Sequence, residues 1–264
     1  YNYKLLKKIL IDMGYTFKTS SDTEVIINYY LCYGINKLLS DLDGMFTLFI
    51  FDLENKVSYL ARDRLGIKPI YYYNDQSNFI FASETKSLLQ HSKVEIKVDN
   101  KAILEFLIFD NLHGNKTFFD KIKILQPGKY IEIKNNISIY TYYSISDVIK
   151  NKKTKSNPHM ISKLIEESTK LQLVSDVPVA TQLSGGLDSS IISYFLSQHT
   201  KRKIESVSII FNEDLEYSEN QFINYISDLL KINNHSTNMN LKIFNQNLEK
   251  CIFHYDFPFS TANS

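Results

Sequence analysis

The sequence contains little cysteine, and this excludes two classes of protein. Only Cys32 and Cys251 are present, far apart in the chain and each within an apolar helical pattern. Two such residues provide neither a disulfide framework nor a Cys-x-x-Cys metal site. We therefore expect both to be buried thiols in a protein of a reducing compartment.

A long apolar run and an excess of charge of one sign are also lacking. No stretch approaches the roughly 20 apolar residues that cross a membrane, and Tyr1–Lys4 does not begin a signal peptide. With 30 basic and 29 acidic residues the net charge is +1, so no long-range attraction draws the chain to nucleic acid or to an anionic membrane. We expect small-molecule partners and a cytoplasmic location.

The length of 264 residues and the 44% hydrophobic content allow one large domain or two moderate ones. Two are predicted, because a polar, basic, proline-closed segment divides the chain. The predicted arrangement is a domain at 1–149, a linker at 150–158 and a domain at 159–264.

After the linker, helical and strand patterns alternate. The predicted order is helix 159–173, strand 177–183, helix 188–199, strand 204–211, helix 217–231, a short strand near His235 and helix 241–254. This alternation predicts an α/β domain with a doubly wound parallel sheet, covered by helices on both faces. Ligands of such sheets bind beyond the carboxyl ends of the strands.

Glycine is scarce, with 8 residues, but two stand side by side where the first of these strands meets a helix, in the stretch Thr181–Ser190. A strand, a glycine turn and a helix make a phosphate cradle, because the backbone can approach an anion and the helix N-terminus offers N–H groups. The hydroxyls of Ser184, Ser189 and Ser190 can donate further hydrogen bonds. Asp188 would repel a bare phosphate, which predicts Mg²⁺ between them.

On spacing alone, an alternative remains in which Gly185 and Gly186 only turn the chain and the following Asp-Ser-Ser caps a helix. However, Ser-Gly-Gly-Leu-Asp-Ser closely resembles the pyrophosphate loop of the ATP pyrophosphatase superfamily. The longer Val-Pro-Val…Leu-Ser-Gly-Gly-Leu-Asp-Ser-Ser is similar to its asparagine synthetase branch. The stretch lacks the Gly-Lys-Ser/Thr of a P-loop, which argues against kinase or GTPase chemistry.

The resemblance implies an ATP site. Its residues would be Leu183, Ser184, Gly185, Gly186, Asp188, Ser189 and Ile209. Adenine would contact the backbone of Leu183 and Ile209, and Asp188 would bind Mg²⁺. Without the resemblance, Leu183 and Ile209 would be plain strand core.

The first part of the chain predicts two helices followed by antiparallel strands. One face of the opening helix carries Leu5, Leu6, Ile9 and Leu10, and Gly14 ends it. The β-rich runs that predict a meander are Gly44–Asp52, Lys56–Ala61, Ile70–Tyr73 and Phe79–Ala82. The first run is almost wholly apolar, so we expect both of its faces to be covered. Two further strands are predicted around Tyr130–Ile133 and Ile139–Thr141, and His113 is predicted to be a surface residue.

The second helix begins with a capping box. Ser21 is the predicted N-cap and Glu24 the third helical residue, ahead of the apolar helix Val25–Tyr33. Asp22 then lies in the first turn. From the residues alone, the favoured interpretation of Asp22 is a carboxylate stabilised by the helix dipole.

The segment Ala61–Pro69 is a dense charge cluster, which alone predicts a solvated loop with surface ion pairs worth under about 1 kcal/mol each. This cluster is nevertheless one of four motifs, which are, in chain order, Ser-Asp-Thr-Glu, Asp-Gly-Met-Phe…Phe-Asp, Arg-Asp-Arg-Leu-Gly-Ile-Lys-Pro and Phe-Ala-Ser-Glu-Thr-Lys. The motifs and their order resemble the later part of a class II glutamine amidotransferase domain, which implies an N-terminal nucleophile-type fold. In that family the aspartate matching Asp22 contacts glutamine, so Asp22 becomes the predicted glutamine-binding residue.

The sequence departs from both families. The amidotransferases begin with a catalytic cysteine, followed by Arg-rich and Asn-Gly-Glu segments that this sequence lacks, so no catalytic residue is assigned. Cys32 is internal and cannot replace that cysteine. The second Ser-Gly-Glu-Gly…Asp-Glu loop is also missing after Ser260. We expect an internal fragment whose natural start is missing, without glutaminase or amide-forming activity and with weak affinity for ATP.

For the complete relatives, the resemblance implies ATP-dependent adenylation of the β-carboxylate of aspartate and amidation with ammonia from glutamine. The implied small molecules are glutamine, aspartate, ATP and Mg²⁺, and a homodimer is left open. Two alternatives also stay open: the same chemistry on another carboxyl acceptor, such as a sugar or a metabolite, and an inactive nucleotide-binding fragment.

Overall fold

The computed structural model of the protein describes residues 1–75, 77–151, 157–200, 203–211 and 219–258. The chain forms two compact units, one of Tyr1–Lys153 with Asp256–Ser264 and one of Thr154–Tyr255. Residues 152–156 of the predicted linker lie outside the described residues. The predicted domain boundaries therefore stay a prediction.

The first unit combines helices with short strands. Its helices are α1 (Tyr3–Asp12), α2 (Asp22–Asp41), α3 (Thr85–Leu89), α4 (Asn100–Phe109) and α5 (Ile145–Asn151). Its strands are β1 (Thr47–Asp52), β2 (Val57–Arg62), β3 (Tyr71–Asn74), β4 (Phe79–Ala82), β5 (Ile122–Ile124), β6 (Lys129–Ile133) and β7 (Ile137–Thr141). The strands predicted from the sequence are present, and β5 is an addition.

These strands form two antiparallel sheets, so the single predicted meander is wrong. The strand orders are β1-β2-β6-β7 and β4-β3-β5. β2 pairs with β6, where Leu60 lies opposite Ile131, whereas β3 pairs with β4 and β5. The segment between β2 and β3 carries the chain from one sheet to the other, which local strand patterns do not reveal.

The two sheets pack face to face between helices. Leu60 and Ile131 of the first sheet share an apolar cluster with Tyr72 of the second. Ala61 and Tyr130, on the opposite face of the first sheet, pack against α1 and α2. The outer face of the second sheet packs against α3. The layers therefore follow the order helix, sheet, sheet, helix.

One face of strand β1 is buried and the other is only partly covered, although the apolar sequence of the strand predicted that both faces would be covered. Ile50 is 8% exposed on the helix side, but Phe49 and Phe51 on the other side are 45% and 58% exposed. The cause is the position of β1 at the edge of its sheet. Phe49 contacts Phe81 of the second sheet, with ring centroids 4.8 Å apart.

Helix α1 has a narrower buried face than predicted. Leu6 and Leu10 are 1% and 0% exposed, whereas Leu5 and Ile9 are 58% and 36% exposed. The helix ends ahead of Gly14, whose φ of 91° suits the residue beyond a helix terminus.

Helix α2 begins at the predicted N-cap. The Ser21 hydroxyl accepts a hydrogen bond from the Thr23 N–H at 3.2 Å. The Glu24 carboxylate accepts from the Thr19 N–H at 2.8 Å, so it stabilises the preceding turn and only half of the capping box is formed. The helix continues past its predicted end with a break at Gly34, where φ is 74°.

The first two charged residues of the cluster, Arg62 at the end of β2 and Asp63, are buried, whereas Arg64 is half-buried and Lys68 is exposed. The solvated loop predicted from composition is therefore wrong at the start of the cluster. Arg62 and Asp63 are 7% and 1% exposed. The Arg62 guanidinium donates to the carbonyl oxygens of Lys68, Leu125 and Gly66 at 2.9, 2.6 and 2.5 Å. The Asp63 carboxylate accepts from the N–H groups of Leu65, Ile67 and Lys68. Both side chains therefore hold the backbone of the turn.

The second unit has the predicted alternation of helices and strands. Its elements are α6 (Pro158–Gln172), β8 (Ala180–Gln182), α7 (Leu187–His199), β9 (Glu205–Ile210), α8 (Asn220–Leu230), β10 (Asn233–Asn238) and α9 (Leu241–Tyr255). The three strands form a parallel sheet in the order β10-β9-β8. Residues 217 and 218 of the predicted helix 217–231 lie outside the described residues. In the described parts of both units, no helix has the length and apolar character needed to cross a membrane.

Strand β9 buries polar side chains and exposes apolar ones. Ser206 and Ser208 are 0% and 6% exposed, whereas Val207 and Ile209 are 48% and 56% exposed. Thr181 of β8 lies on the same face as the serines and contacts α7 there. The class is therefore mixed α/β, with antiparallel sheets in one unit and a parallel sheet in the other. The doubly wound arrangement stays a prediction.

The two cysteines are more accessible than predicted. Cys32 is half-buried on α2, and Cys251 is exposed on α9. Helix α9 has no buried residue along its described length, so an apolar pattern there does not bring the thiol into a core. His113 is exposed, as predicted, and its Nδ1 lies 2.9 Å from Oε1 of Glu105.

Candidate functional site

The glycine loop (Ser184–Gly186) joins β8 to α7 at the carboxyl end of a parallel strand. Leu183, directly before it, is 1% exposed and donates its N–H to the Val207 carbonyl oxygen at 3.0 Å. Strand pairing therefore continues to the edge of the loop. Gly186 is the N-cap of α7, so the N–H groups of the first helical turn follow directly.

Gly185 occupies a position where any other residue would be strained. Its φ is 83°, and a Cβ added there would lie 3.0 Å from Cβ of Phe222, 3.1 Å from the Glu219 carbonyl oxygen and 3.2 Å from the Ile223 nitrogen. Two of these neighbours are backbone atoms at the start of α8, which cannot move aside as a flexible side chain can. The loop is therefore packed against α8 on one side.

The serine hydroxyls hold the loop from within. Oγ of Ser184 lies 3.0 Å from Oγ of Ser189, which also accepts the Ser184 N–H at 3.3 Å. The Gly186 N–H donates to Oγ of Ser184 at 3.3 Å, and Oγ of Ser190 donates to the Gly186 carbonyl oxygen at 2.7 Å. The two N–H contacts are long for hydrogen bonds. The oxygen of an anion could replace them at little cost.

Asp188 contributes one exposed carboxylate in the first turn of α7. Among the described residues, no group of three or more His, Cys, Asp or Glu side chains could hold a metal ion. This donor set does not fit an all-protein metal cage. It does fit Mg²⁺, which binds through one or two carboxylates together with substrate phosphates and water.

Leu183 and Ile209 both lie at the carboxyl end of the sheet, but on different faces. Gln182 pairs with Val207, so Leu183 follows in register with Ser208 on the buried face. Ile209 points to the opposite face and is 56% exposed. The predicted adenine contacts therefore involve two neighbouring strand ends, and they stay a prediction.

Asp22 lies in the first unit, on the wall of a cavity of about 830 Å³ between the start of α2 and β1. Its Oδ2 accepts a hydrogen bond from the Tyr1 hydroxyl at 2.8 Å. Burial and this carboxylate raise the pKa of Tyr1, so the phenol stays a donor at neutral pH. Since a carboxylate has about four acceptor sites, Tyr1 leaves room for a second donor such as an ammonium group.

A second carboxylate, Asp52, lines the same cavity and was not predicted as a site residue. It accepts hydrogen bonds from the Asn55 amide at 2.9 Å and the Tyr30 hydroxyl at 2.6 Å. These bonds, Asn55 first, lower the pKa of Asp52 to about 2. The sequence signal was the Phe-Asp that closes the β1 motif. Because its partners are in place, Asp52 orders the cavity wall.

Both units match families of known proteins. Residues 1–144 match the model of the glutamine amidotransferase domain. Residues 160–264 match the model of asparagine synthase. The matched ranges contain the two candidate sites, Asp22 in the first and the glycine loop in the second.

Curated relatives cover most of this chain. It is 33% identical over 263 residues to asparagine synthetase [glutamine-hydrolyzing] 1 of Bacillus subtilis, which covers 98% of the chain and 40% of the relative. It is 32% identical over 267 residues to putative asparagine synthetase [glutamine-hydrolyzing] 2 of Methanocaldococcus jannaschii, covering 98% of the chain and 50% of the relative. A third relative, asparagine synthetase [glutamine-hydrolyzing] 3 of B. subtilis, is 31% identical over 222 residues, covering 83% of the chain and 36% of the relative.

The chain thus spans between 36% and 50% of the length of these relatives. The amidotransferase match takes in 144 of its residues, more than half. The chain therefore belongs to the glutamine amidotransferase domain family, and its residues 160–264 match the asparagine synthase family.

Proposed function

We propose that the protein acts in ATP-dependent amide synthesis, as a glutamine-hydrolysing asparagine synthetase. The observation that carries the proposal is the glycine loop, which opens α7 at the carboxyl end of β8 with Gly185 at a φ of 83°. The names of the relatives support the same function.

In the proposed reaction, the β-carboxylate of aspartate attacks the α-phosphate of ATP, and pyrophosphate leaves. Ammonia released from glutamine then displaces AMP and leaves asparagine. The loop N–H groups and the hydroxyls of Ser184 and Ser189 bind the pyrophosphate oxygens, where negative charge develops. Asp188 would hold Mg²⁺, which would supply positive charge beside the phosphates.

Under this proposal, the first unit is an N-terminal nucleophile-type domain at 1–149, and the second is a doubly wound ATP-pyrophosphatase domain at 159–264. The helix, sheet, sheet, helix order of the first unit supports the former. The parallel sheet supports the latter. Adenine lies against the backbone of Leu183 and Ile209, and Asp22 binds the α-ammonium group of glutamine.

Titration calorimetry of the 264-residue chain tests the nucleotide site. We expect ATP to bind, Mg²⁺ to strengthen the binding, and inorganic pyrophosphate to compete with it. ATP binding that pyrophosphate does not displace would contradict the assignment of the loop, and the absence of any binding would contradict the proposed function.

The substitution Asp188→Asn should change ATP affinity in opposite directions with and without the metal. With Mg²⁺, affinity should fall about tenfold, because a ligand of the ion is lost. With EDTA, affinity should rise severalfold, because the carboxylate no longer repels the phosphates. Calorimetry under both conditions measures this.

The matched control is Asp176→Asn, which removes the same charge from an exposed residue that precedes β8, at the other end of the strand. It should leave both affinities near those of the parent. If Asp188→Asn changes the two affinities in the same direction, Asp188 does not serve the metal.

The substitution Asp22→Asn should raise the KM for glutamine by roughly tenfold or more in the longest natural form of the protein, because it removes a charge-assisted bond to the substrate ammonium group. Synthesis from added ammonia should be unchanged. Glu24→Gln is the control, since Glu24 lies in the same helical turn but binds the Thr19 backbone. An equal loss of synthesis with glutamine and with ammonia would show that Asp22 has only a structural role.

A further inference from the structure

The buried hydroxyl of Ser208 lies directly behind the glycine loop. Its Oγ is 2.5 Å from the carbonyl oxygen of Leu183, the residue that precedes the loop. Ser208 is 6% exposed, although neighbouring apolar residues of β9 are exposed. A strand that buries a serine in preference to valine and isoleucine gains nothing from the hydrophobic effect. The hydroxyl must therefore serve through its hydrogen bond.

Asn234 of β10 is a second possible acceptor for the Ser208 hydroxyl. Its Oδ1 accepts from Oγ of Ser206 at 2.7 Å and lies 2.9 Å from Oγ of Ser208, and its Nδ2 donates to Oγ of Ser236 at 2.8 Å. One hydroxyl proton can serve only one acceptor. The Leu183 carbonyl oxygen is the nearer acceptor of Ser208, at 2.5 Å, and Oδ1 of Asn234 already accepts from Ser206. We therefore assign the Ser208 proton to Leu183.

The Leu183 carbonyl belongs to the same peptide unit as the Ser184 N–H. In a trans peptide the C=O and N–H bonds point in opposite directions. The Ser184 N–H is directed toward Oγ of Ser189, at 3.3 Å, inside the glycine loop. A hydrogen bond that fixes the carbonyl from behind therefore also fixes the direction of the N–H within the loop.

We propose that Ser208 is a positioning residue for anion binding: its hydroxyl holds the Leu183 carbonyl so that the Ser184 N–H faces the pyrophosphate oxygens. This inference rests on the function proposed above. Ser208 does not touch the ligand. It prevents one peptide unit from rotating in the free protein, so less conformational freedom is lost when the anion binds.

The chain provides a matched control for this role. Ser206 is on the same strand, is 0% exposed and also contacts Asn234. It pairs with Thr181 of β8, two residues before Leu183. Ser206→Ala and Ser208→Ala remove the same group from equally buried sites. A role in folding alone would give both variants the same behaviour.

The test measures two quantities on the 264-residue chain: the hydrogen exchange rate of the Ser184 amide by NMR and the affinity for inorganic pyrophosphate by calorimetry. Ser208→Ala should speed exchange at Ser184 at least fivefold and weaken pyrophosphate binding about tenfold. Ser206→Ala should change neither quantity by more than about twofold. Ser208→Thr, which keeps the hydroxyl, should restore slow exchange, and it decides the matter if the alanine variant does not fold.

Unchanged exchange at Ser184 in Ser208→Ala, or equal effects of the two alanine substitutions, would overturn the proposal. Fast exchange in Ser208→Thr would overturn it as well. If the parent chain does not bind pyrophosphate, the proposed function fails, but the exchange rates still decide the role of Ser208. The two failures are therefore distinguishable.

Discussion

Gly185→Ala should reduce the affinity of the chain for ATP and for pyrophosphate by at least about fiftyfold. A residue with a side chain costs roughly 1–2 kcal/mol in the left-handed region, and Gly185 lies there with a φ of 83°. The new Cβ would also press against backbone atoms of Glu219 and Ile223 at 3.1 and 3.2 Å. The loop must therefore move away from α8, which misdirects its N–H groups. Calorimetry measures the loss.

Gly114→Ala separates the cost of a left-handed backbone conformation from the cost of the contacts that a new Cβ would make. Gly114 has a similar φ of 78°, but a Cβ there would meet nothing within 4 Å. This variant should lose stability yet bind ATP as the parent does, because Gly114 lies in the other unit. If Gly185→Ala binds ATP within about threefold of the parent, the loop is not the phosphate site.

Arg62→Met should destabilise the first unit by about 3–5 kcal/mol, because it leaves three carbonyl groups, that of Leu125 buried, without their charged donor. Methionine keeps much of the length of the side chain but none of its hydrogen bonds. The three carbonyl oxygens that lose a partner belong to Gly66, Lys68 and Leu125. Denaturant unfolding, followed by tyrosine fluorescence, should show this loss.

Arg64→Met is the matched control, two positions away. The Arg64 side chain is 30% exposed and lies 3.8 Å from the Asp43 carboxylate, and it donates one hydrogen bond, to the exposed Ser40 carbonyl oxygen at 2.6 Å. Because water can replace this donor, the loss should stay near about 1 kcal/mol, well below that of Arg62→Met. Arg62→Lys should fall between the two, since an ammonium group cannot reproduce the planar fork of a guanidinium. A loss below about 1 kcal/mol in Arg62→Met would show that these bonds contribute little net stability.

The sequence was informative where structure is local. The 3.6-residue and strand periodicities placed the elements of the second unit, because each helix there has its own apolar stripe. The sheet partition of the first unit could not be predicted in this way. It depends on pairings between residues that are far apart in the chain, such as Leu60 with Ile131 and Tyr73 with Ile122. A local pattern carries no information about such a partner.

The candidate site residues also differ in whether local sequence patterns reveal them. Asp22 and the glycine loop stand in short motifs whose chemistry is visible in the residues themselves. Asp52 and Ser208 were missed, because each acts through a partner on another element, Tyr30 and Leu183 respectively. A serine within a strand also looks like a weak strand former rather than a functional group.

The inverted side-chain pattern of β9 has a consequence for how the second unit folds. Shifting the strand by one residue would turn Val207 and Ile209 inward and Ser206 and Ser208 outward. Fully burying such an apolar side chain is worth about 1.5–3 kcal/mol, so apolar burial alone would favour the misaligned strand. The contacts of the serines with Asn234 and Leu183 favour the native alignment. The register of β9 is therefore specified by polar contacts, made by the same side chains that order the loop.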